Sequence, residues 1–215
     1  MGYSNKAFIL PRAIFFLLAP LFFLSLTISI LAFDPGFFFS LQKGIGYPVT
    51  DATYELDRKI SSSLFFGVQG ENLQEFSQKE ILHLEDIHKL LRSLFIFSIF
   101  SGLTFLGSTV FLAFNDMKFR KMLFWGFLSS LGFYLILGLL FFLFFDWAFL
   151  NFHLAVFSND YWILGDDYLL YRLFPPELFQ KALFPFFFLL IFLTSLYYIL
   201  SSAISRKSSR APKAS

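Results

Sequence analysis

Four stretches of this chain contain no charged residue, and each is long enough to cross a bilayer as an α-helix. The hydrocarbon core of a membrane is about 30 Å thick, and a helix needs about 20 mainly apolar residues to span it. We therefore predict an all-α integral membrane protein that folds as a four-helix transmembrane bundle, within a single membrane domain of residues 1–215. The predicted spans are approximately residues 13–33, 93–114, 122–145 and 183–204.

The composition supports a membrane protein over a soluble one. Only 15% of the residues are charged and 57% are hydrophobic, whereas a soluble domain is about 25% charged. We expect the first span to be a retained anchor, because it is longer than the apolar part of a signal peptide and no small-residue cleavage site follows it. Gly102, Gly107, Gly126, Gly132 and Gly138 lie in or between the spans at spacings that allow helices to approach closely.

The distribution of charge predicts how the spans are oriented. Residues 1–12, 115–121 and 205–215 together contain nine basic residues and one acid, whereas loops 34–92 and 146–182 contain eight basic residues and fourteen acids. Basic loops stay on the cytoplasmic side. We therefore expect a multi-pass protein of the cell membrane with cytoplasmic termini and an extracytoplasmic part made of the two acidic loops. The basic side suits anionic membrane lipid, and no nucleic-acid-binding motif is present.

The residue types limit the available chemistry. The chain has no cysteine, which excludes disulfides, thiolate metal ligands and a cysteine acyl-enzyme. A Gly-x-Ser-x-Gly motif is also missing, so a serine nucleophile has little support. Any acyl chemistry is then better explained by direct attack of a substrate group, assisted by histidine.

A predicted helix in the first loop carries one histidine between two acids. Ser77 and Glu80 fit a capping box, which predicts a helix that begins there and continues into the second span. Glu80, His83 and Asp86 are three residues apart and share a face, where a carboxylate can orient the imidazole. The alternative is an ordinary solvated face. His88 lies about 140° around the helix from His83 and is not expected to share its site.

The second loop contributes another histidine, His153, in apolar surroundings. By itself, a lone histidine in such surroundings is more often a structural residue than a catalytic one. Paired with His83 on the same side of the membrane, it makes an acid–base couple. A metal site of His83, Asp86 and His153 is an alternative, although no His-Glu-x-x-His motif supports it.

Two further polar residues in this loop have two interpretations each. Arg172 either binds a phosphate or carboxylate group or pairs with a neighbouring acid, namely Asp166, Asp167 or Glu177. Asp167 either orients a catalytic group or caps a turn. In the first loop, Ser61–Ser63 and Gly67–Gly70 suggest loop or short strand.

Two motifs in these loops resemble the lipoprotein intramolecular transacylase (Lit) family of Gram-positive bacteria. The first runs from Phe76 to Ile87 and is similar to the family pattern Phe-Ser-x-x-Glu-x-x-His-x-x-Asp-Val/Ile. The second is similar to the family's Phe-His…Asn-x-x-Trp…Asp…Phe-Pro signature. Its residues here are Phe152-His153, Asn159, Trp162, Asp167 and Phe174-Pro175.

The resemblance implies a reaction on a bacterial lipoprotein. The substrate's N-terminal cysteine bears a diacylglyceryl thioether and a free α-amine, and the acyl chain at glycerol sn-2 moves to that amine. The product is the N-acyl, S-monoacylglyceryl "lyso" form, and no cofactor is expected.

The resemblance also implies roles for the loop residues. His153 would be the principal base and then acid, with His83 as its partner and Glu80 and Asp86 orienting His83. Either Asn159 or Tyr161, or a backbone amide, would stabilise the oxyanion. The predicted substrate-binding residues are Asn159, Tyr161, Trp162, Asp167 and Arg172. The alternatives are a metal-dependent membrane hydrolase and a non-catalytic four-span scaffold or transport subunit.

Overall fold

The fold is all-helical, as the sequence predicts. A computed structural model describes residues 8–69, 73–116 and 118–208, and these residues form eight α-helices and no strand. The helices are α1 (Ile9–Ala32), α2 (Pro35–Gly44), α3 (Asp51–Phe66), α4 (Gln78–Asn115), α5 (Phe119–Leu143), α6 (Phe145–Val156), α7 (Leu169–Leu173) and α8 (Pro176–Ser208). Lys6, Arg210 and Lys213, which contribute to the predicted orientation, and Gly70 lie outside the described residues.

The helices α1, α4, α5 and α8 are long and apolar enough to cross a membrane. This confirms the predicted four-span, multi-pass architecture. The helix α4 continues from the first loop into the second span without a break, as predicted from its capping box. Its residues 78–92 carry six charged side chains and therefore lie outside the apolar span at residues 93–114.

The chain divides into two compact units, and the first consists of Met1–Leu26, Phe97–Leu137 and Phe187–Ser215. Its core contains Phe15 and Phe105, both fully buried. A Cβ atom added at Gly126 would lie 2.5 Å from the Phe15 ring, so this glycine allows close helix packing as expected. The same atom added at Gly132 would have no neighbour within 4 Å.

The second unit consists of Thr27–Ile96 and Gly138–Phe186 and contains both histidines of the predicted couple. Its apolar core includes Leu73, Leu84 and Leu173, each at most 1% exposed. The helices α2, α3, α6 and α7 belong to this unit.

The predicted loop or short strand at Ser61–Ser63 is wrong, because these residues belong to α3. A reciprocal capping box between Thr50 and Thr53 starts this helix. The helix ends before Gly67, its C-cap, whose φ of 116° is strongly unfavourable for residues with a Cβ.

Candidate active site

The start of α4 positions the first histidine. The Ser77 amide donates to Glu80 Oε2 at 2.6 Å, and the Glu80 amide donates to Ser77 Oγ at 3.4 Å. This confirms the predicted capping box. One turn after Glu80, His83 lies on the buried side of α4 and is 7% exposed.

The structure brings His83 and His153 together. Their ring centroids are 6.4 Å apart, and the rings are inclined by 36°. His153 lies near the end of α6, one turn after Phe149, and is half-buried. A substrate group placed between two rings at this separation can contact both.

Aromatic side chains surround the two imidazoles. The Phe157 ring lies 5.2 Å from that of His83 and 5.6 Å from that of His153, measured between centroids. Trp162 and Phe149 pack against His153, with centroid distances of 5.0 and 4.3 Å. These contacts limit water access, and electrostatic interactions are stronger in such surroundings.

A hydrogen bond determines which tautomer His153 adopts. Its Nδ1 lies 2.8 Å from the carbonyl oxygen of Phe149. A carbonyl oxygen only accepts hydrogen bonds, so Nδ1 carries the proton in the neutral ring and Nε2 keeps its lone pair. By contrast, Nδ1 of His83 is buried and has no hydrogen-bond partner within the described part of the chain.

Burial favours the neutral form of both rings. It lowers the pKa of His83 to about 4, with a further lowering from nearby His153 and an opposing effect from Asp86. Burial also lowers the pKa of His153, although the bond to the Phe149 carbonyl opposes this shift. Both imidazoles are therefore available as neutral bases or donors near pH 7.

The hydrogen bonds of Glu80 differ from the expectation that it orients His83. Its Oε1 accepts from the Leu170 amide at 2.6 Å, and its Oε2 accepts from the Ser77 amide. The side chain is 2% exposed. With each oxygen bonded to a backbone amide, Glu80 joins the start of α4 to the start of α7.

Asp86 also lacks a hydrogen bond to the His83 ring in the described structure. Its Oδ2 accepts from Asn159 Nδ2 at 2.8 Å, and its Oδ1 lies 3.4 Å from Lys89 Nζ. The amide of Tyr161 donates to Asn159 Oδ1 at 3.0 Å. The structure thus places the predicted residues Asp86 and Asn159 in direct contact.

The other predicted residues occupy varied positions. Trp162 contacts His153, and the Tyr161 ring is exposed. Asp167 is exposed in the turn closed by the Tyr168 amide and the Gly165 carbonyl. Arg172 is exposed and forms no ion pair within the described residues, so its predicted pairing with a neighbouring acid is not observed.

His88 lies apart from the couple, in agreement with its predicted direction on the helix. Its Nδ1 is 2.8 Å from the Leu64 carbonyl oxygen near the end of α3. This bond connects α3 to α4 and indicates a structural role.

Two connections that position α7 are missing from the sequence interpretation. Gln42 Nε2 donates to Asp57 Oδ1 at 3.0 Å and to the Leu173 carbonyl oxygen at 3.1 Å. Gln42 and Asp57 are both fully buried. Together with the bond from Leu170 to Glu80, this contact holds both ends of a five-residue helix. Gln42 and Asp57 are polar residues of a predicted loop, and the sequence gave no sign that they are buried together. Their contacts are with residues that are distant in the sequence.

A cleft of about 280 Å³ lies beside the histidine couple, lined by residues of α4 and of the segment that follows His153. The lining residues are Asp86, Lys89, Leu90, Ser93, Val156, Phe157, Ser158 and Asn159. Phe157 also contacts both imidazoles, and Asp86 lies one turn from His83. The cleft therefore adjoins the couple and combines charged and polar groups with three apolar side chains.

The metal-hydrolase alternative gains no support from the geometry. Across residues 8–69, 73–116 and 118–208, no three His, Asp or Glu side chains are arranged to hold a metal ion.

Comparison with solved structures finds the same fold. The membrane-integral lipoprotein intramolecular transacylase Lit from Bacillus cereus superposes with a TM-score of 0.83 at 16% identity, covering 97% of this chain and 100% of that chain. Two variants of that enzyme, with a histidine replaced by arginine or by alanine, give TM-scores of 0.76 and 0.75 at 15% and 16% identity. They cover 95% and 96% of this chain, and 95% and 97% of their own chains.

Sequence comparison identifies the family. No curated protein matches the chain significantly. The family model described as "Lipoprotein intramolecular transacylase Lit" matches residues 13–179, which include both motifs and both histidines of the couple. The chain therefore belongs to the family of lipoprotein intramolecular transacylases.

Proposed function

We propose that this chain moves the sn-2 acyl chain of a diacylglyceryl-cysteine lipoprotein to the α-amine of the same cysteine. The observation that carries the proposal is the pairing of the buried His83 ring with the half-buried His153 ring, with centroids 6.4 Å apart, beside a cleft of about 280 Å³. Because amine and ester belong to one substrate molecule, the reaction needs little help with proximity. It needs proton transfer and charge stabilisation.

His153 suits the role of base. An α-amine has a pKa of about 7.7–8.0 and is largely protonated near neutral pH, so it must lose a proton before it attacks. With Nδ1 committed to the Phe149 carbonyl, His153 presents a free lone pair at Nε2. The neutral amine then attacks the ester carbonyl, the bond to the sn-2 glycerol oxygen breaks, and that oxygen takes up a proton.

His83 suits the complementary role of donor. Its Nδ1 is buried without a partner, and a buried N–H without an acceptor is strongly disfavoured. The proton of the neutral ring then sits on Nε2, from which it can polarise the ester carbonyl or pass to the departing glycerol oxygen. Two protons leave the nitrogen as the α-ammonium becomes an amide. One passes by way of His153 and His83 to the glycerol oxygen and the other leaves to solvent, so neither ring changes its charge over a full cycle.

The cleft offers a path for the acyl chain. His83 lies about 15 Å from Ser93 along the axis of α4, well above the start of the apolar span. The cleft extends along α4 from Asp86 to Ser93, and its apolar lining consists of Leu90, Val156 and Phe157. An acyl chain that follows these side chains can bring its ester to the imidazoles while its end remains in membrane lipid.

The expected orientation gives this site access to lipoproteins. Residues 1–12, 115–121 and 205–215 hold nine of the seventeen basic residues and one of the fifteen acids. By the positive-inside rule, both termini are cytoplasmic and the couple faces outward. Lipoprotein substrate and membrane lipid are then the natural partners.

The test is expression in a bacterium that lacks this activity but makes a diacylated lipoprotein, followed by mass spectrometry of the lipoprotein's N-terminal peptide. The chain should convert the diacyl form to the lyso form. His83→Ala and His153→Ala should each reduce conversion by about 10²–10⁴-fold. His88→Ala, a histidine outside the couple, is the matched control and should retain activity.

Persistence of the diacyl form in the presence of membrane-inserted wild-type protein would refute the proposal. Full activity in both couple variants would refute the assigned chemistry while leaving the family intact. The amount of each variant in the membrane fraction should equal that of the wild type, so that loss of product reports chemistry.

A further inference from the structure

Asp86 carries a carboxylate whose surroundings suit a ligand. It lines the cleft beside the couple, and its side chain is 21% exposed. The only described cation paired with it is Lys89, at 3.4 Å, and that side chain is 69% exposed. A long ion pair with so exposed a lysine contributes little, so the carboxylate can accept a second cation.

Asn159 orients this carboxylate. The Tyr161 amide donates to Asn159 Oδ1, which leaves Nδ2 facing Asp86. The side-chain amide of Asn159 cannot rotate by 180° without losing both hydrogen bonds. Its oxygen would then face the Asp86 carboxylate, and its NH₂ group would face the Tyr161 N–H. Asn159 therefore acts as a positioning residue that holds Oδ2 of Asp86 and leaves Oδ1 with the exposed Lys89 as its described partner.

The position of Asp86 relative to His83 indicates which cation it suits. Residues three apart on a helix have Cβ atoms about 5–6 Å apart. A cation bound to Asp86 would therefore lie within reach of the imidazole couple. In the proposed reaction, the group that must reach this position is the α-ammonium of the lipoprotein's first residue.

We propose that Asp86, held by Asn159, binds the α-ammonium group of the lipoprotein substrate. This assignment rests on the proposed function and deepens it. It differs from an orienting role toward His83, for which the described structure provides no hydrogen bond. It also gives a physical reason for product release, because acyl transfer converts the ammonium into a neutral amide that no longer attracts the carboxylate.

The direct test uses ligands that cannot react. Two lipopeptides carry a dialkyl-ether glyceryl cysteine, one with a free α-amine and one with an acetylated amine, and their binding to the full chain in lipid nanodiscs is measured at pH 7. Wild-type protein should bind the free-amine ligand about tenfold more tightly, since a partly exposed charge-assisted bond is worth about this much. Equal binding of the two ligands by wild type would overturn the proposal.

Variants locate this preference. Asp86→Asn should bind both ligands equally, and Glu85→Gln, an acid-to-amide change at the adjacent position, should keep the preference. Asn159→Ala should reduce the preference, because the carboxylate loses its positioning bond. Retention of the full preference by Asp86→Asn would overturn the assignment.

Kinetics on the ester substrate separate binding from orientation. Removing an ammonium acceptor should raise KM for Asp86→Asn about tenfold and leave kcat within about threefold, because the bound amine then loses its proton more easily. A fall in kcat with unchanged KM would instead show that Asp86 acts on His83 and would overturn the proposal. Absence of lyso product from the wild type is a different result and refutes the proposed function itself.

Discussion

Replacing Glu80 by glutamine tests whether this residue supports the site structurally or acts in the chemistry. The carboxylate accepts hydrogen bonds from two backbone amides, those of Ser77 and Leu170, each at 2.6 Å. In Glu80→Gln, one of the two oxygens becomes an NH₂ group that faces an N–H donor. One charge-assisted bond is lost, and a buried amide is left without an acceptor.

The size of the effect follows from these bonds. A hydrogen bond to a charged group is worth about 1.5–3 kcal/mol, and an orphaned buried donor costs about 1–3 kcal/mol. Taking about 3 kcal/mol in total, and about 2–4 °C per kcal/mol for a chain of this size, Glu80→Gln should lower Tm by about 6–12 °C. Activity should fall in parallel, as α7 loses its attachment to α4.

The assay is thermal unfolding of purified protein in detergent, with Glu85→Gln as the matched control. Glu85 is one helical position beyond Leu84, is half-buried and forms no side-chain hydrogen bond within the described residues. Its substitution should shift Tm by less than about 2 °C. A Glu80→Gln protein that melts like wild type but produces no lyso lipoprotein would refute the structural reasoning and favour the orienting role predicted from sequence.

Two further predictions concern packing and pH. Gly126→Ala should lower Tm, because its Cβ would lie 2.5 Å from the Phe15 ring. Gly132→Ala should leave Tm unchanged, because no atom lies within 4 Å of its added Cβ. Equal melting temperatures in the two variants would contradict this packing. Burial raises the pKa of Asp57 from 3.8 to about 6. Between these values the folded protein keeps a proton that the unfolded chain releases. The free energy of unfolding should therefore decline as pH rises from about 4 to 6, and should stay at the lower value above pH 6. Asp57→Asn should remove this decline in pH-dependent unfolding and be the more stable protein at pH 7.5; a wild-type profile that rises over this interval would contradict the assignment.

The sequence predicted the helix that carries His83 because its signals are local. Ser77 and Glu80 are three residues apart, and no residue between them and Ser93 breaks a helix. The convergence of His83 and His153 was predictable in outline, since the charge pattern places both loops on one side of the membrane. Their 6.4 Å separation depends on how α6 packs, which local sequence patterns do not specify.

The roles of the two acids were not predictable from spacing. A carboxylate three residues from a histidine suggests an orienting pair, but Glu80 bonds instead to an amide ninety positions along the chain. Asp86 likewise meets Asn159, seventy-three positions away. Helix α3 had a signal that could have been used, since Leu56, Ile60 and Leu64 repeat every fourth residue after a threonine cap.

The unit that holds the histidine couple is built from two stretches of chain, Thr27–Ile96 and Gly138–Phe186. Between them the polypeptide runs through the second half of α4 and most of α5, two membrane-crossing helices. During synthesis, His83 therefore emerges long before the residues that will surround it. The proposed couple therefore cannot form until the third span has been made, and we expect a nascent chain to process no lipoprotein before its own integration is nearly complete.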